Sequence, residues 1–424
     1  MTTDPIPRRA RINPTFVASV LVGLLIVVAA LTWTVWHQLT VRSELRLVDL
    51  NVYRSAGTSL LGGRPAYSYL TDPPQLLPFT YPPIAAVLAI PLALVPWFAA
   101  TWLWTIGQLA LLALITAVSF RPLLARFPTA WPVVLGLLVA AMGWLFPIRD
   151  SIRFGQVDIA LVALCLLDCV VRRPRWPRGM LIGLAAAVKL TPAVFVPYLW
   201  FTGRRKAALV AAATTVALTV VAALITPMNS RDYWGNALFD SNRLGTNSST
   251  SNQSLRGMLL RSPLPGGART AVLAVCLVAV AIVGFRRART LSARGDEVAA
   301  VAVVGLLAVA LSPVSWIHHL AWIVLVLGVL AGDLRSWRQA VPTAAVGIFY
   351  GFPLPWIGAH LLKTHYPLAL GVPLRNAYGL GALVLICTLH TLRAGGGEPD
   401  APGQQAPHVS GLGRMSGLRS PARP

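Results

Sequence analysis

Long apolar runs alternate with short polar connections along most of this chain. The longest runs cover residues 15–36, 98–120, 207–226, 270–285 and 368–392. A helix needs about 20 apolar residues to cross the hydrocarbon core of a bilayer, and most of these runs approach or exceed that length. The pattern predicts an all-α, polytopic integral membrane protein with roughly eleven to thirteen hydrophobic helices in a single domain over residues 15–392.

Composition agrees with a membrane protein. Hydrophobic residues make up 56% of the chain and charged residues only 12%, whereas a soluble domain carries roughly 25% charged residues. The net charge of +22 comes mainly from arginines between the apolar runs, where the positive-inside rule places them in the cytoplasm. We therefore expect no nucleic-acid partner. The four cysteines all lie inside apolar runs and are expected to be buried hydrophobes, not a disulfide or metal framework.

The arginine-rich connections also predict the topology. Basic segments at 172–178, 204–206 and 286–294 are assigned to the cytoplasm. This arrangement makes residues 1–14 a cytoplasmic tail and places two larger loops, 37–80 and 227–267, outside a multi-pass cell membrane. The final stretch, 393–424, is rich in Gly, Pro and Arg and is expected to be a disordered cytoplasmic tail.

One apolar segment, 179–200, is interrupted by Lys189-Leu190-Thr191-Pro192 and has basic residues at both ends. Two cytoplasmic flanks around one segment predict a hairpin of two half-helices with Lys189 at the turn. Irregular backbone at membrane depth persists where it lines a cavity, so Lys189 is a functional candidate. The alternative is that its ammonium extends to the lipid headgroups.

With this topology, the unusual polar residues all fall at the outer ends of helices. They are Asp49, Arg149, Asp150, Arg153, Gln156, Asp158, Lys189, Asn252, Gln253, His318 and His319. Their distribution predicts one cavity on the outer side, where an active site would face the periplasm. A carboxylate near cations suits sugar transfer from a lipid phosphate, because the hydroxyl needs a base and the leaving phosphate needs charge stabilisation.

Several short motifs occur in order over residues 48–319. They are Asp49 with Tyr53 and Gly57, Phe79-Thr80-Tyr81-Pro82-Pro83, Gly155-Gln156, Lys189-Leu190-Thr191-Pro192, Asn252-Gln253-Ser254-Leu255-Arg256-Gly257, and Ser312-Pro313 with Ser315-Trp316 and His318-His319. With these motifs the chain resembles glycosyltransferase family 87, the polyprenyl-phosphate-mannose-dependent α-1,2-mannosyltransferases of the GT-C fold. It is similar to the mycobacterial enzymes that act on phosphatidylinositol mannosides and to those that branch lipomannan.

The resemblance implies an inverting transfer of mannose from polyprenyl-phosphate mannose to a mannose 2-hydroxyl of a glycolipid acceptor. Asp49 matches the family's general base. His318 or His319, with Lys189, matches the donor-phosphate region, to which we add Arg149, Arg153 and Gln156. Tyr53, Tyr81, Asn252, Gln253 and Trp316 are candidates for binding the acceptor and its sugars. Asp49 is followed by Leu50 and not by a second acid, so we expect no metal ligand pair on this loop and no tightly bound cofactor; a requirement for a divalent cation stays open.

Three alternatives remain at this point. The enzyme could branch lipomannan or transfer another sugar, such as a pentose, from a polyprenyl phosphate. A lipid or sugar transporter would also contain broken helices, but transporters usually contain inverted repeats, and the sequence shows no repeat. For Asp49 itself, the alternative to a base is a helix cap preceding Leu50.

Overall fold

The computed structural model describes residues 14–40, 47–364 and 368–394, and the predicted terminal tails lie almost entirely outside these ranges. The first ten helices are α1 Pro14–Thr40, α2 Val48–Leu61, α3 Pro83–Leu88, α4 Ile90–Leu94, α5 Trp97–Ser119, α6 Arg121–Leu124, α7 Trp131–Trp144, α8 Phe146–Phe154, α9 Asp158–Val170 and α10 Met180–Val188. The others are α11 Phe195–Phe201, α12 Arg205–Ile225, α13 Pro227–Asp232, α14 Leu255–Leu260, α15 Gly266–Ala293, α16 Glu297–Leu311, α17 Ile323–Ala331, α18 Trp337–Gly351, α19 Leu354–Lys363, α20 Leu368–Arg375 and α21 Ala377–Ala394.

The all-α membrane architecture predicted from the apolar pattern is confirmed. Four helices, α1, α5, α12 and α15, are each long and apolar enough to cross a bilayer. Three further pairs, α7–α8, α18–α19 and α20–α21, pass together but bend by 80°, 51° and 70°. Among the described residues, the remaining apolar segments are helices of 10–17 residues, so many of the predicted hydrophobic helices are bent or short.

Two short helices form the centre of the molecule. Every residue of α17 is buried, as are all residues of α16 from Ala299 to Ala310. With 15 and 9 residues, both helices are too short to span a bilayer alone, and other helices cover their apolar surfaces. Helices α9, α15, α17 and α21 pack around α16, and this core supports the polar residues at its ends.

The interrupted segment forms the predicted hairpin. Gly179, before α10, lies against Ala207, near the start of α12, and the chain reaches that same region again when α11 ends at Phe201. Asp168, near the end of α9, accepts hydrogen bonds from the backbone N–H groups of Gly179 and Ile182, each at 3.0 Å. The far end of the hairpin therefore lies beside the start of α9.

The described parts of the two regions predicted as outer loops contain helices and pack against each other. Residues 37–80 include α2, and residues 227–267 include α13, a π-helix Tyr233–Ala237, a 3-10 helix Ser241–Leu244 and α14. The Ala66 N–H donates to the Asn229 side chain at 2.7 Å, and the rings of Tyr67 and Tyr233 lie 5.5 Å apart. The interpretation of these regions as loops was incomplete, because an amphipathic helix of 14 residues is too short to stand out beside long apolar runs.

Candidate active site

A tight turn between α8 and α9 positions the first part of the site. Helix α8 ends at Phe154, and the next residue, Gly155, has φ 72° and ψ 36°, the left-handed conformation common after a helix. A Cβ atom at Gly155 would lie 2.9 Å from Cβ of Leu50 and 3.3 Å from Cβ of Leu47. The absence of a side chain therefore allows the start of α2, with Asp49, to lie directly against this turn.

Lys189 lies at the tip of the hairpin, inside a polar cluster. Its Nζ is 2.8 Å from Oδ1 of Asp158 and 2.9 Å from Nε2 of His319, and it lies 5.4 Å from the centre of the Tyr81 ring. The Lys189 and Asp158 side chains are only 12% and 8% exposed. This arrangement excludes the alternative in which Lys189 extends to the lipid headgroups.

The Lys189 contact also defines the protonation of His319. An ammonium group has only donors, so Nε2 of His319 must accept and its Nδ1 carries the proton. That Nδ1 is buried and has no hydrogen-bond partner among the described residues. His319 therefore presents an unpaired N–H donor, next to a lysine.

His318, the neighbouring histidine, contacts different groups. Its Nδ1 lies 3.4 Å from Oδ2 of Asp150, and its ring packs edge-on against Phe154 with centroids 5.9 Å apart. The His318 and His319 rings are 4.8 Å apart. The 3-10 helix Ile317–Trp322 thus directs one imidazole to Lys189 and the other to Asp150.

Asp49 is half-buried in the first turn of α2. Leu47, not Asp49, is the N-cap residue, and no side chain caps this helix, so the capping role considered for Asp49 is not supported. Burial raises the pKa of Asp49 to about 6, although His318, the Gln156 side chain and Lys189 each lower it. A carboxyl group with a pKa near neutrality is suited to accept a proton.

Two tyrosines and an amide form a hydrogen-bonded group beside Asp49. The Tyr53 hydroxyl donates at 2.9 Å to the Tyr81 hydroxyl, and each hydroxyl also lies 3.0 Å from Oε1 of Gln156. Tyr53 follows Asp49 by one helical turn. These contacts connect α2 to the α8–α9 turn, so the three side chains fix the position of Asp49.

Unpaired polar atoms surround a small cavity next to the cluster. Asp158, Ser315 and His319 line it together with Thr191 and Trp322. In the described part of the chain, Oδ2 of Asp158 and Oγ of Ser315 have no hydrogen-bond partner, although both are buried. Buried polar groups are usually paired, so these atoms are available to a ligand or to ordered water.

Asp158, His318 and His319 also form the type of group that could hold a metal ion, since one ligand atom from each lies within 4.8 Å of the others. Lys189 Nζ contacts two of these three residues. A metal ion there would lie close to the positive ammonium group, which disfavours it. In this cluster the Lys189 ammonium, and not a metal ion, therefore balances the charge of Asp158.

Asn252 and Gln253 are completely engaged inside the protein. Oδ1 of Asn252 accepts from Ser254 and from the N–H of Ser315, and its amide donates to the Asn247 carbonyl. Gln253 donates to two backbone carbonyls and accepts from one N–H group. Both side chains are at most 1% exposed, so the structure places them as supports of the Ser315–His319 segment.

The remaining candidates lie around this centre without contacting Lys189. Arg149 is half-buried over the Phe146 ring at 5.2 Å, and Arg153 is exposed beside Phe154 at 5.1 Å. Trp316 is half-buried and faces Gly245.

The structure adds partners for two acids that the sequence had placed in the predicted cavity without a role. Asp150 and Asp158 are visible in the sequence as acids on either side of the Gly155 turn, but their partners, His318 and Lys189, are more than 30 residues away. Acid–base pairs at such separations leave no local signal in one sequence.

Taken together, the fold and the site define a helical membrane protein whose ionisable residues converge on one end of the core. This chain belongs to glycosyltransferase family 87, whose model matches residues 79–313. The resemblance identified from the motifs is confirmed, and the chain is a glycosyltransferase. No solved structure shows a significant match to it.

Curated relatives cover most of the chain. A polyprenol-phosphate-mannose-dependent α-(1-2)-phosphatidylinositol mannoside mannosyltransferase of Mycobacterium tuberculosis is 34% identical over 75% of this chain and 78% of its own length. The Mycolicibacterium smegmatis protein of that name is 33% identical over 84% and 86%. A phosphatidylinositol pentamannoside mannosyltransferase of Mycolicibacterium smegmatis is 33% identical over 92% and 94%. The chain is therefore about equally identical to relatives named for phosphatidylinositol mannoside and to one named for phosphatidylinositol pentamannoside.

Proposed function

We propose that this protein transfers mannose from polyprenyl-phosphate mannose to the 2-hydroxyl of a mannose on a phosphatidylinositol mannoside-type glycolipid. The observation that carries this proposal is the position of Asp49, a base with a raised pKa, beside the Lys189–Asp158–His319 cluster. The names of the relatives support the donor and the acceptor class.

The cluster at the hairpin tip is the proposed site for the donor phosphate. The Lys189 ammonium and the free Nδ1–H of His319 provide a positive charge and a hydrogen-bond donor. Both stabilise the negative charge that grows on the leaving phosphate as the sugar–oxygen bond breaks. Arg149 adds positive charge at the edge of this region. No metal ion is needed in this scheme, since the ammonium takes that role.

Asp49 is the proposed general base. Its carboxylate accepts the proton of the acceptor hydroxyl while that oxygen attacks the anomeric carbon from the side opposite to the phosphate, which inverts the configuration. Tyr53, Tyr81 and Gln156 act as positioning residues for Asp49. Trp316, which is half-buried, is the candidate for packing against a sugar.

Radiolabelled donor distinguishes this function from its rivals. Purified protein in nanodiscs, supplied with polyprenyl-phosphate [14C]mannose, should label added phosphatidylinositol mannosides, and α-1,2-specific mannosidase should release the label. Label that enters only lipomannan would favour the branching function. Label that crosses the bilayer of a sealed vesicle without reaching any acceptor would instead establish a transporter.

The proposed outer location has its own test. Ser68 and Ser248 are exposed in the two packed outer regions. In a variant whose Cys276 and Cys387 are alanine, a single cysteine at either serine should react with an impermeant maleimide in whole cells. Reaction only after lysis would reverse the topology and place the site in the cytoplasm, without affecting the proposed chemistry.

A further inference from the structure

Two arginines form a second cationic group outside the proposed donor site. Arg261 directly follows α14, and Arg375 ends α20. Arg261 donates to the Ser249 carbonyl at 2.6 Å and to Oδ1 of Asn376 at 2.6 and 2.9 Å. Nε of Arg375 donates at 2.9 Å to the hydroxyl of Thr250. Arg261 and Arg375 bind the consecutive residues Ser249 and Thr250, and Arg261 also binds Asn376, the residue next to Arg375. The two side chains therefore lie close together.

These arginines have no acidic partner. Neither forms an ion pair in the described ranges, and the two terminal nitrogens of Arg375 form no hydrogen bond there. Burial, and then the charge of Arg375, lower the pKa of Arg261 to about 10, so Arg261 remains charged at neutral pH. Adjacent like charges repel each other, and an anion between them would remove this repulsion.

The arginine pair is attached to the site through Gln253. The Gln253 side chain donates to the carbonyl of Arg375 at 3.0 Å, and its backbone N–H donates to the carbonyl of Ser315 at 2.7 Å. Ser315 precedes His318 by three residues and lines the cavity beside His319. The hydrogen bonds that engage Gln253 completely therefore hold the pair next to the proposed donor site.

We propose that Arg261 and Arg375 bind the phosphodiester of the acceptor glycolipid while its terminal mannose reaches Asp49. This inference rests on the proposed function. The donor phosphate is already assigned to Lys189 and His319, so a second, separate cationic group fits the second phosphate of the reaction. A guanidinium fork matches phosphate oxygens in geometry as well as in charge, and the free terminal nitrogens of Arg375 provide such a fork.

The test compares two acceptors with the same terminal mannoses. One is a phosphatidylinositol mannoside; the other is a dialkylglycerol mannoside without phosphate. Both are assayed in phosphatidylcholine nanodiscs with saturating donor. The wild-type protein should prefer the phosphate-bearing acceptor in kcat/KM, and Arg261→Gln or Arg375→Gln should reduce that preference about 10- to 100-fold, mainly through KM. The donor KM and the rate with the neutral acceptor should change little.

Matched variants separate charge from folding. Arg231→Gln removes an exposed arginine in α13 and should leave the preference intact. Arg375→Lys keeps the charge and should retain most of the preference. A wild-type protein that mannosylates both acceptors equally would overturn this inference but support the proposed function, whereas no transfer to either acceptor would reject the proposed function itself.

The same assay tests whether the arginine pair binds bulk anionic lipid and not the acceptor. If the pair binds any anionic headgroup, adding phosphatidylglycerol to the nanodiscs would raise the KM of the phosphate-bearing acceptor by competition and abolish the difference between acceptors. That result would overturn the inference. The inference would also be overturned if Arg375→Gln and Arg375→Lys lost transfer to both acceptors to the same extent. Such a loss would indicate that Arg375 has a structural role and does not recognise phosphate.

Discussion

Replacing Asp49 by Asn tests the proposed chemistry most directly. Asn has almost the same shape but cannot accept the proton, and general-base catalysis contributes about 10²–10⁴-fold to the rate. We expect Asp49→Asn to lose activity in that range while binding the donor normally. Asp72→Asn, which changes an exposed aspartate, is the matched control and should remain active.

The raised pKa of Asp49 also predicts how the wild-type rate depends on pH. The base must be ionised, and its pKa is about 6, so kcat/KM should rise with pH and level off above about pH 7. At pH 5 only about one carboxyl in ten is ionised, which makes the rate about tenfold lower. His318 lowers the pKa of Asp49, so His318→Asn should move the midpoint to higher pH.

Stability should change in the opposite direction to activity. The pKa of Asp49 is higher in the folded protein, about 6, than the ordinary 3.8. The folded state therefore binds the proton more tightly, and stability falls as pH rises through this interval, by up to about 3 kcal/mol above pH 6. Asn removes this penalty, so Asp49→Asn should unfold at a higher temperature than the wild type at pH 7.5.

Two assays decide this prediction: mannose transfer between pH 5 and 8, and thermal unfolding in the same detergent. Transfer by Asp49→Asn above about a tenth of the wild-type rate would refute the role of Asp49 as the base. The search would then move to Asp150 and Asp158. A lower unfolding temperature for Asp49→Asn would refute the account of its pKa, whatever the activity.

Lys189→Met should weaken donor binding and also destabilise the protein, because it leaves Asp158 buried without its partner, a loss of about 3–5 kcal/mol. Adding Asp158→Asn should recover thermal stability but not donor affinity, measured by titrating labelled donor; recovered affinity would exclude Lys189 from phosphate binding. Gly155→Ala should lower both stability and transfer, since a Cβ would press on Leu50. Gly63 has a similar φ of 63° but lies in open space, so Gly63→Ala should lower the free energy of unfolding by only about 1–2 kcal/mol. If Gly63→Ala and Gly155→Ala reduced mannose transfer equally, the steric explanation would be refuted.

The apolar pattern by itself determined the class of this protein. Long apolar runs can only be helices in a bilayer, because every backbone hydrogen bond must be made within the segment. The break at Lys189 was also predictable, since a lysine followed by Thr191-Pro192 interrupts an apolar helix and both flanks are basic. The motifs around Asp49, Gln156 and the histidine pair were sufficient to indicate the family.

Only the tertiary structure decided how these residues act. Lys189 meets Asp158 and His319 across 31 and 130 residues, and a single sequence contains no signal for such distances. Asn252 and Gln253 were predicted as sugar ligands, because polar residues in a region predicted to be external resemble a binding site. Packing instead buries both side chains and pairs the oxygen and the nitrogen of each amide within the protein. The environment of a side chain, its burial and its partners, is a property of the folded chain, and it sets both the basicity of Asp49 and the pairing of Lys189.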